Sequence, residues 1–157
     1  MSRNLTRALC VIGMLVPLTG VTVRSNCQCN SGFEVTLIDD SVAPPSGPIA
    51  ADTVDISLDG IEVYWGTEAS YWIQGDILKW DPNIAGWRSV IVGYQWQASG
   101  WQMDPNYGVL SHRRTFTITW PNVPLTPGEN RFAVGVDIDG SDGCEDRWAA
   151  LEVTYQH

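Results

Sequence analysis

From residue 53 onward, apolar positions recur with a period of two. Val54, Ile56 and Leu58 alternate with Asp55 and Ser57, while Ile61, Val63 and Trp65 alternate with Glu62 and Tyr64. Asp59-Gly60 stands between the two runs. Two alternating runs around Asp-Gly predict a hairpin, because a type I′ turn needs positive φ at both central residues. The same period continues downstream. Val90, Val92, Tyr94 and Trp96 share one face of a strand. Phe116, Ile118 and Trp120 oppose Thr115, Thr117 and Thr119, and Phe132, Val134, Val136 and Ile138 oppose Arg131, Ala133, Gly135 and Asp137. Leu151, Val153 and Tyr155 close the series against Ala150, Glu152 and Thr154.

Turn chemistry falls between these runs: Asp81-Pro82-Asn83, Asp104-Pro105-Asn106, Pro121-Asn122-Val123-Pro124, Pro127-Gly128-Glu129-Asn130 and Asp139-Gly140-Ser141-Asp142-Gly143. Apart from the N-terminal stretch, no segment holds a helical period for three turns. The chain therefore reads as all-β, an antiparallel β-sandwich of about seven strands with one apolar face per sheet.

The N-terminal stretch has a different pattern. Arg3 and Arg7 precede an uncharged, apolar or small run from Ala8 to Val23, and Val23 and Ser25 fit the −3 and −1 positions of a cleavage after Ser25. This is the layout of a secretory signal peptide. The apolar run, interrupted by Pro17 and Gly20, is short for a membrane span. The expected organisation is a signal peptide over 1–25, an N-terminal tether over 26–50 and the sandwich domain over 51–157. Within the tether, Phe33–Ile38 has the pattern of one short strand, and Pro44, Pro45 and Pro48 exclude helix and sheet interior alike. The destination expected is secreted, periplasmic or cell surface, with no membrane span after cleavage.

Charge and cysteine content sharpen that picture. The net charge is −9, from 9 basic and 18 acidic residues. Cleavage removes Arg3, Arg7 and Arg24, leaving 6 basic residues against 18 acidic ones and a net −12. Such a field repels phosphate backbones, so nucleic acid is excluded as a partner class. Of the four cysteines, Cys10 lies in the leader and Cys27, Cys29 and Cys144 remain. Adjacent-but-one cysteines rarely pair, so the expected disulfide joins Cys29 to Cys144, with Cys27 as the alternative to Cys29. The leftover thiol, or the N-terminal segment, offers a route to self-association.

The run Asp81-Pro82-Asn83 followed by Val90-Ile91-Val92-Gly93-Tyr94-Gln95-Trp96, and the run Pro127 to Asp137, resemble passages of PKD-type and related bacterial immunoglobulin-like extracellular domains. The resemblance covers roughly residues 76–155. It departs from the family at Gln97-Ala98-Ser99-Gly100-Trp101 and in a longer insertion before Trp87. It implies an immunoglobulin-like sandwich and a non-catalytic module for adhesion, spacing, or protein and glycan contact. Fold alone does not settle function.

Three sets of residues carry candidate chemistry. Of the 8 tryptophans, Trp65, Trp96 and Trp120 stand in register with core positions, whereas Trp80, Trp87 and Trp101 lie beside turn clusters with Tyr107 near. Exposed indoles stack on sugar rings or insert into partner pockets, so the latter set is a candidate ligand patch. The alternative is that they cap the ends of the sandwich. Asp137, Asp139 and Asp142 in the acidic, glycine-bearing loop are candidate calcium ligands, against the simpler reading of a solvated hairpin loop. His112 has no evident acid partner, and no carboxylate pair is singled out by its spacing, so no catalytic residue is assigned. The function expected is an exported, non-enzymatic adhesion or binding module contacting protein or glycan at the cell surface. A structural subunit of an extracellular filament, sheath or envelope assembly is the alternative, with a small carbohydrate-active enzyme a distant third.

Overall fold

The computed structural model describes residues 27–29, 33–65, 71–103, 111–140 and 147–157. They form eleven strands: β1 (Cys27–Cys29), β2 (Phe33–Leu37), β3 (Gly47–Pro48), β4 (Thr53–Trp65), β5 (Tyr71–Asp81), β6 (Gly86–Ser89), β7 (Gln95–Ala98), β8 (Gln102–Met103), β9 (Ser111–Pro124), β10 (Glu129–Gly140) and β11 (Arg147–Gln156). Sheet A runs β1-β2-β4-β9-β7, with β8 also on β9. Sheet B runs β3-β11-β10-β5-β6. Every pairing is antiparallel except that of β3 with β11. The orders β2-β4-β9-β7 and β11-β10-β5 match the A-B-E-D and G-F-C sheets of an immunoglobulin-like sandwich. No helix long and apolar enough to cross a membrane occurs among the described residues.

The period-two pattern sets the core. Phe116, Ile118 and Trp120 of β9 are buried against Ile56 and Leu58 of β4, and the threonines between them face outward. Across the interior, sheet B contributes Ile77, Phe132, Val134, Val136, Leu151, Val153 and Tyr155. Trp96 joins from β7 by stacking on Phe116, with ring centroids 4.6 Å apart. Each such side chain removed from water stabilises the fold by about 1.5–3 kcal/mol. Trp120 and Trp96 therefore occupy the core roles expected of them, and the side chain of Trp65 lies outside the described residues.

Four expectations change. Asp59-Gly60 is not a turn: β4 is one continuous strand, and its ladder with β9 runs unbroken from Ile56 to Trp65. The reason is packing. A Cβ on Gly60 would overlap the Phe116 ring, so this glycine makes room for an aromatic side chain from the neighbouring strand. Asp59 is held in the strand by Thr117 Oγ1, which donates to its carboxylate at 2.6 Å.

Pro121-Asn122 is likewise a bulge inside β9 and not a turn. The register shifts between Val54 and Ile56, Asn122 takes φ of 54°, and its N–H donates to Asp55 Oδ1 at 2.7 Å. Third, Val90–Tyr94 is not strand. Val90 N–H still donates to Ile77 O at 2.9 Å in sheet B, and the chain then crosses to sheet A, where β7 begins at Gln95.

Finally, the short strand expected over Phe33–Ile38 forms as β2, but it is packed into the sandwich, with Val35 and Leu37 in the core. Ser46 Oγ accepts from Thr154 N–H at 3.0 Å, and Pro44 O accepts from the Tyr155 hydroxyl at 2.8 Å. Burial pushes the Tyr155 phenol up to about 12.

Candidate functional site

The expected ligand patch divides between the two sheets. Trp80 and Trp87 face each other across the β5–β6 hairpin, whose loop is the anticipated Asp81-Pro82-Asn83 turn. Asp81 builds that loop by accepting the N–H of Asn83 on its carboxylate at 2.9 Å and that of Ile84 on its carbonyl at 3.3 Å. It also pairs with Arg88 at 2.7 Å. The two indoles meet edge to face, with centroids 5.4 Å apart at 75°.

Arg131, on the neighbouring strand β10, lays its guanidinium 5.5 Å from the Trp80 ring and 5.4 Å from the Trp87 ring. Glu152 of β11 fixes that guanidinium by accepting from Nε at 3.0 Å and from Nη2 at 2.7 Å on one carboxylate oxygen. Alternation places Trp80, Trp87, Arg131 and Glu152 on the outward face of sheet B, because their neighbours Phe132 and Val153 point into the core. The result is a ladder across four strands: carboxylate, guanidinium, indole, indole. Both indoles are half-buried.

Trp101 lies elsewhere, at the β7–β8 junction of sheet A, in a second cluster that the period-two reading missed. Glu62 of β4 is 0% exposed and accepts from both Nε and Nη2 of Arg114 on β9, the latter at 3.2 Å. The Arg114 guanidinium carbon sits 4.4 Å from the Trp101 ring. Trp101 stands edge-on to Tyr64 at 4.8 Å and 86°, and Tyr64 stacks on His112 at 4.8 Å and 11°. Burial pushes the Glu62 carboxyl above its ordinary value, and the Arg114 hydrogen bond and charge only partly oppose this. His112 Nδ1 is buried without a hydrogen-bond partner in this structure.

A signal for Glu62 was present in the sequence. It is in phase with Ile56 and Leu58 once Gly60 is read as strand, so the core face of β4 carries a carboxylate that demands a cation.

A third polar group closes one end of the sandwich. Asn130, also 0% exposed, accepts from Thr126 N–H at 2.8 Å and from Lys79 Nζ at 2.7 Å, and its amide donates to the carbonyls of Thr126 and Gly128. Burial lowers the Lys79 pKa. These bonds explain the Pro127–Asn130 turn.

The remaining candidates are placed only in part. Tyr107, Asp142 and Cys144 lie outside the described residues. Asp137 and Asp139 stand in β10, opposite Gln74 and Trp72 of β5. Within β1, Cys27 is opposite Val35 and Cys29 opposite Phe33. No group of three metal-ligating side chains occurs among the described residues. Neither a protein-family model nor a curated protein matches the chain in sequence.

Proposed function

We propose that the chain is an exported, non-catalytic binding module that contacts a protein or glycan through the outward face of sheet B. The observation that carries this reading is the Trp87–Trp80–Arg131–Glu152 ladder. It presents two half-buried indoles and a charge-fixed guanidinium on the outward face of sheet B. Rigid aromatic area beside a positioned guanidinium is the composition that recurs at interface hot spots. A non-catalytic role is supported by the use the described carboxylates are put to. Glu62, Asp81 and Glu152 neutralise arginines, Asp59 accepts from a threonine, and Asp55 holds a bulge. Export rests on the leader pattern, and the PKD-type resemblance agrees with a surface module.

The test compares wild type with the Trp80→Ala/Trp87→Ala double variant on a glycan array and on intact cells. The expected outcome is retention of wild type and at least about tenfold weaker retention of the variant, with the variant still folding cooperatively. Wild type retained nowhere, or a ligand bound equally by both proteins, overturns the reading. Trp101→Ala is the internal control, expected to leave binding intact because Trp101 belongs to the other sheet.

A second reading, a subunit of an extracellular filament, sheath or envelope assembly, draws on β7, the terminal strand of sheet A among the described residues.

A further inference from the structure

The run from Ser89 to Met103 contains no charged residue and no proline, in a chain of net charge −9. It supplies β7, the terminal strand of sheet A, and β8, which continues along β9. Exposed apolar side chains concentrate here: Ile91 at 98%, Met103 at 69%, with Tyr94 and Trp101 also accessible. An unblocked edge strand is a template for pairing, and proteins ordinarily guard such edges with charge or proline.

Two of the other edges are guarded in that way. Strand β6 carries Arg88 paired with Asp81, and β3 lies among Pro44, Pro45 and Pro48. The third, β1, is three residues long. At the β7 edge the guard is partial. Between Ala98, opposite Phe116, and Gln102, opposite Arg113, one extra residue makes a bulge, which confines regular pairing to Gln95–Ala98.

The hydrogen-bond phase of β7 follows from its end. Ser99 N–H donates to Thr115 O at 2.9 Å, and Thr115 N–H donates to Ser99 Oγ at 3.0 Å. Alternation along an antiparallel strand then turns the N–H and C=O of Trp96 and Ala98 away from β9, toward an edge that no described strand pairs.

We propose that this edge is a self-association surface. Gln95–Ala98 pairs antiparallel with the same strand of a second copy across a two-fold axis, joining two copies of sheet A into one continuous sheet. Charge selects the occupant. Two copies of an acidic chain repel through most approaches, and an uncharged edge lets them meet with no like charges directly opposed. A basic partner would be drawn instead to the charged faces. The contact is small, so the association is weak and strengthens with salt as the surrounding repulsion is screened. It is independent of the sheet B ladder, and neither Trp80 nor Trp87 takes part.

Sedimentation velocity of the full chain under reducing conditions, at about 0.1–1 mM protein, tests the proposal. A shift toward dimer with concentration is expected, larger at about 0.5 M than at about 0.05 M NaCl. Gln97→Lys, which puts a charge on an exposed side chain of β7, and Ala98→Pro, which removes an edge-facing N–H, should each return the chain to monomer. Their melting temperatures should match wild type, and should Ala98→Pro fail to fold, Gln97→Lys carries the test. A monomer across the whole range, dimer that weakens with salt, or dimer that persists in folded Gln97→Lys overturns it.

Discussion

The molecule contains the same trio of residue types twice. On sheet B, Glu152, Arg131 and Trp80 with Trp87 lie on the outward face, the arginine and glutamate side chains each 30% exposed. On sheet A, Glu62, Arg114 and Trp101 repeat the sequence of carboxylate, guanidinium and indole, but the Glu62 side chain is 0% exposed and that of Arg114 26%. Exposure separates their roles. The outward pair keeps its water, so its attraction is screened. The inward carboxylate has lost its water, so the guanidinium is indispensable to it, although Trp101 beside that guanidinium stays exposed.

The sharpest way to break this comparison is to remove each arginine. Arg114→Ala leaves Glu62 buried without a partner and should cost about 3–5 kcal/mol. Arg131→Ala leaves Glu152 in water and should cost about 0–1 kcal/mol. Urea unfolding of the two variants checks the ratio. Equal losses would show that the two trios do not differ in kind. Replacing Glu62 and Arg114 together by leucine should recover most of the Arg114→Ala loss, since the penalty comes from the unpaired charge.

How much of this contrast the sequence discloses depends on the range of the interaction that decides each feature. The alternation of Phe116, Ile118 and Trp120 with threonines is local, and so are the strand and core it predicts. Asp81-Pro82-Asn83 is also local. The turn it forms is enough to bring Trp80 opposite Trp87, so the pairing of these two indoles was legible. Asp59-Gly60 misleads because the dipeptide is identical in a hairpin and in a strand. What decides between them is the ring of Phe116, far away in sequence.

Misreading Gly60 as a turn also placed Glu62 on a polar face, which hid the inward trio. Trp101 and Trp80 look alike in sequence, each an indole beside a turn. Only the crossing of the chain from sheet B to sheet A after Val90 sends them to different clusters. His112 was set aside for want of an acid partner. Its contact is instead the Tyr64 ring, a neighbour that strand pairing supplies.

Gly60 is the position next to the inward trio where only a residue without a side chain leaves room for the Phe116 ring. Gly60→Ala forces a methyl into the Phe116 ring and should destabilise by about 1–3 kcal/mol. Adding Phe116→Leu, which shortens the side chain at the point of overlap, should make the Gly60→Ala change cheaper than it is alone. That coupling is read from a double-mutant cycle in thermal unfolding. Strict additivity would mean that the ring does not hold this position.

The finest test is the pH dependence of the inward carboxylate. Burial holds the proton on Glu62 to higher pH in the folded chain than in the unfolded one, whose ordinary value is 4.5. Between those two values the folded state binds more protons. The contribution of Glu62 is thus complete below 4.5 and is lost as pH rises through the folded value. A single proton limits the slope to about 1.4 kcal/mol per pH unit. Glu62→Gln keeps the shape of the side chain and removes its titration, so subtracting the two stability profiles isolates this one group. Wild type should lose ground to Glu62→Gln as pH rises from about 4 toward 7. A wild type that gains on Glu62→Gln over that range would mean that Arg114 overcomes the burial of Glu62, and the two trios would then differ in position but not in electrostatic character.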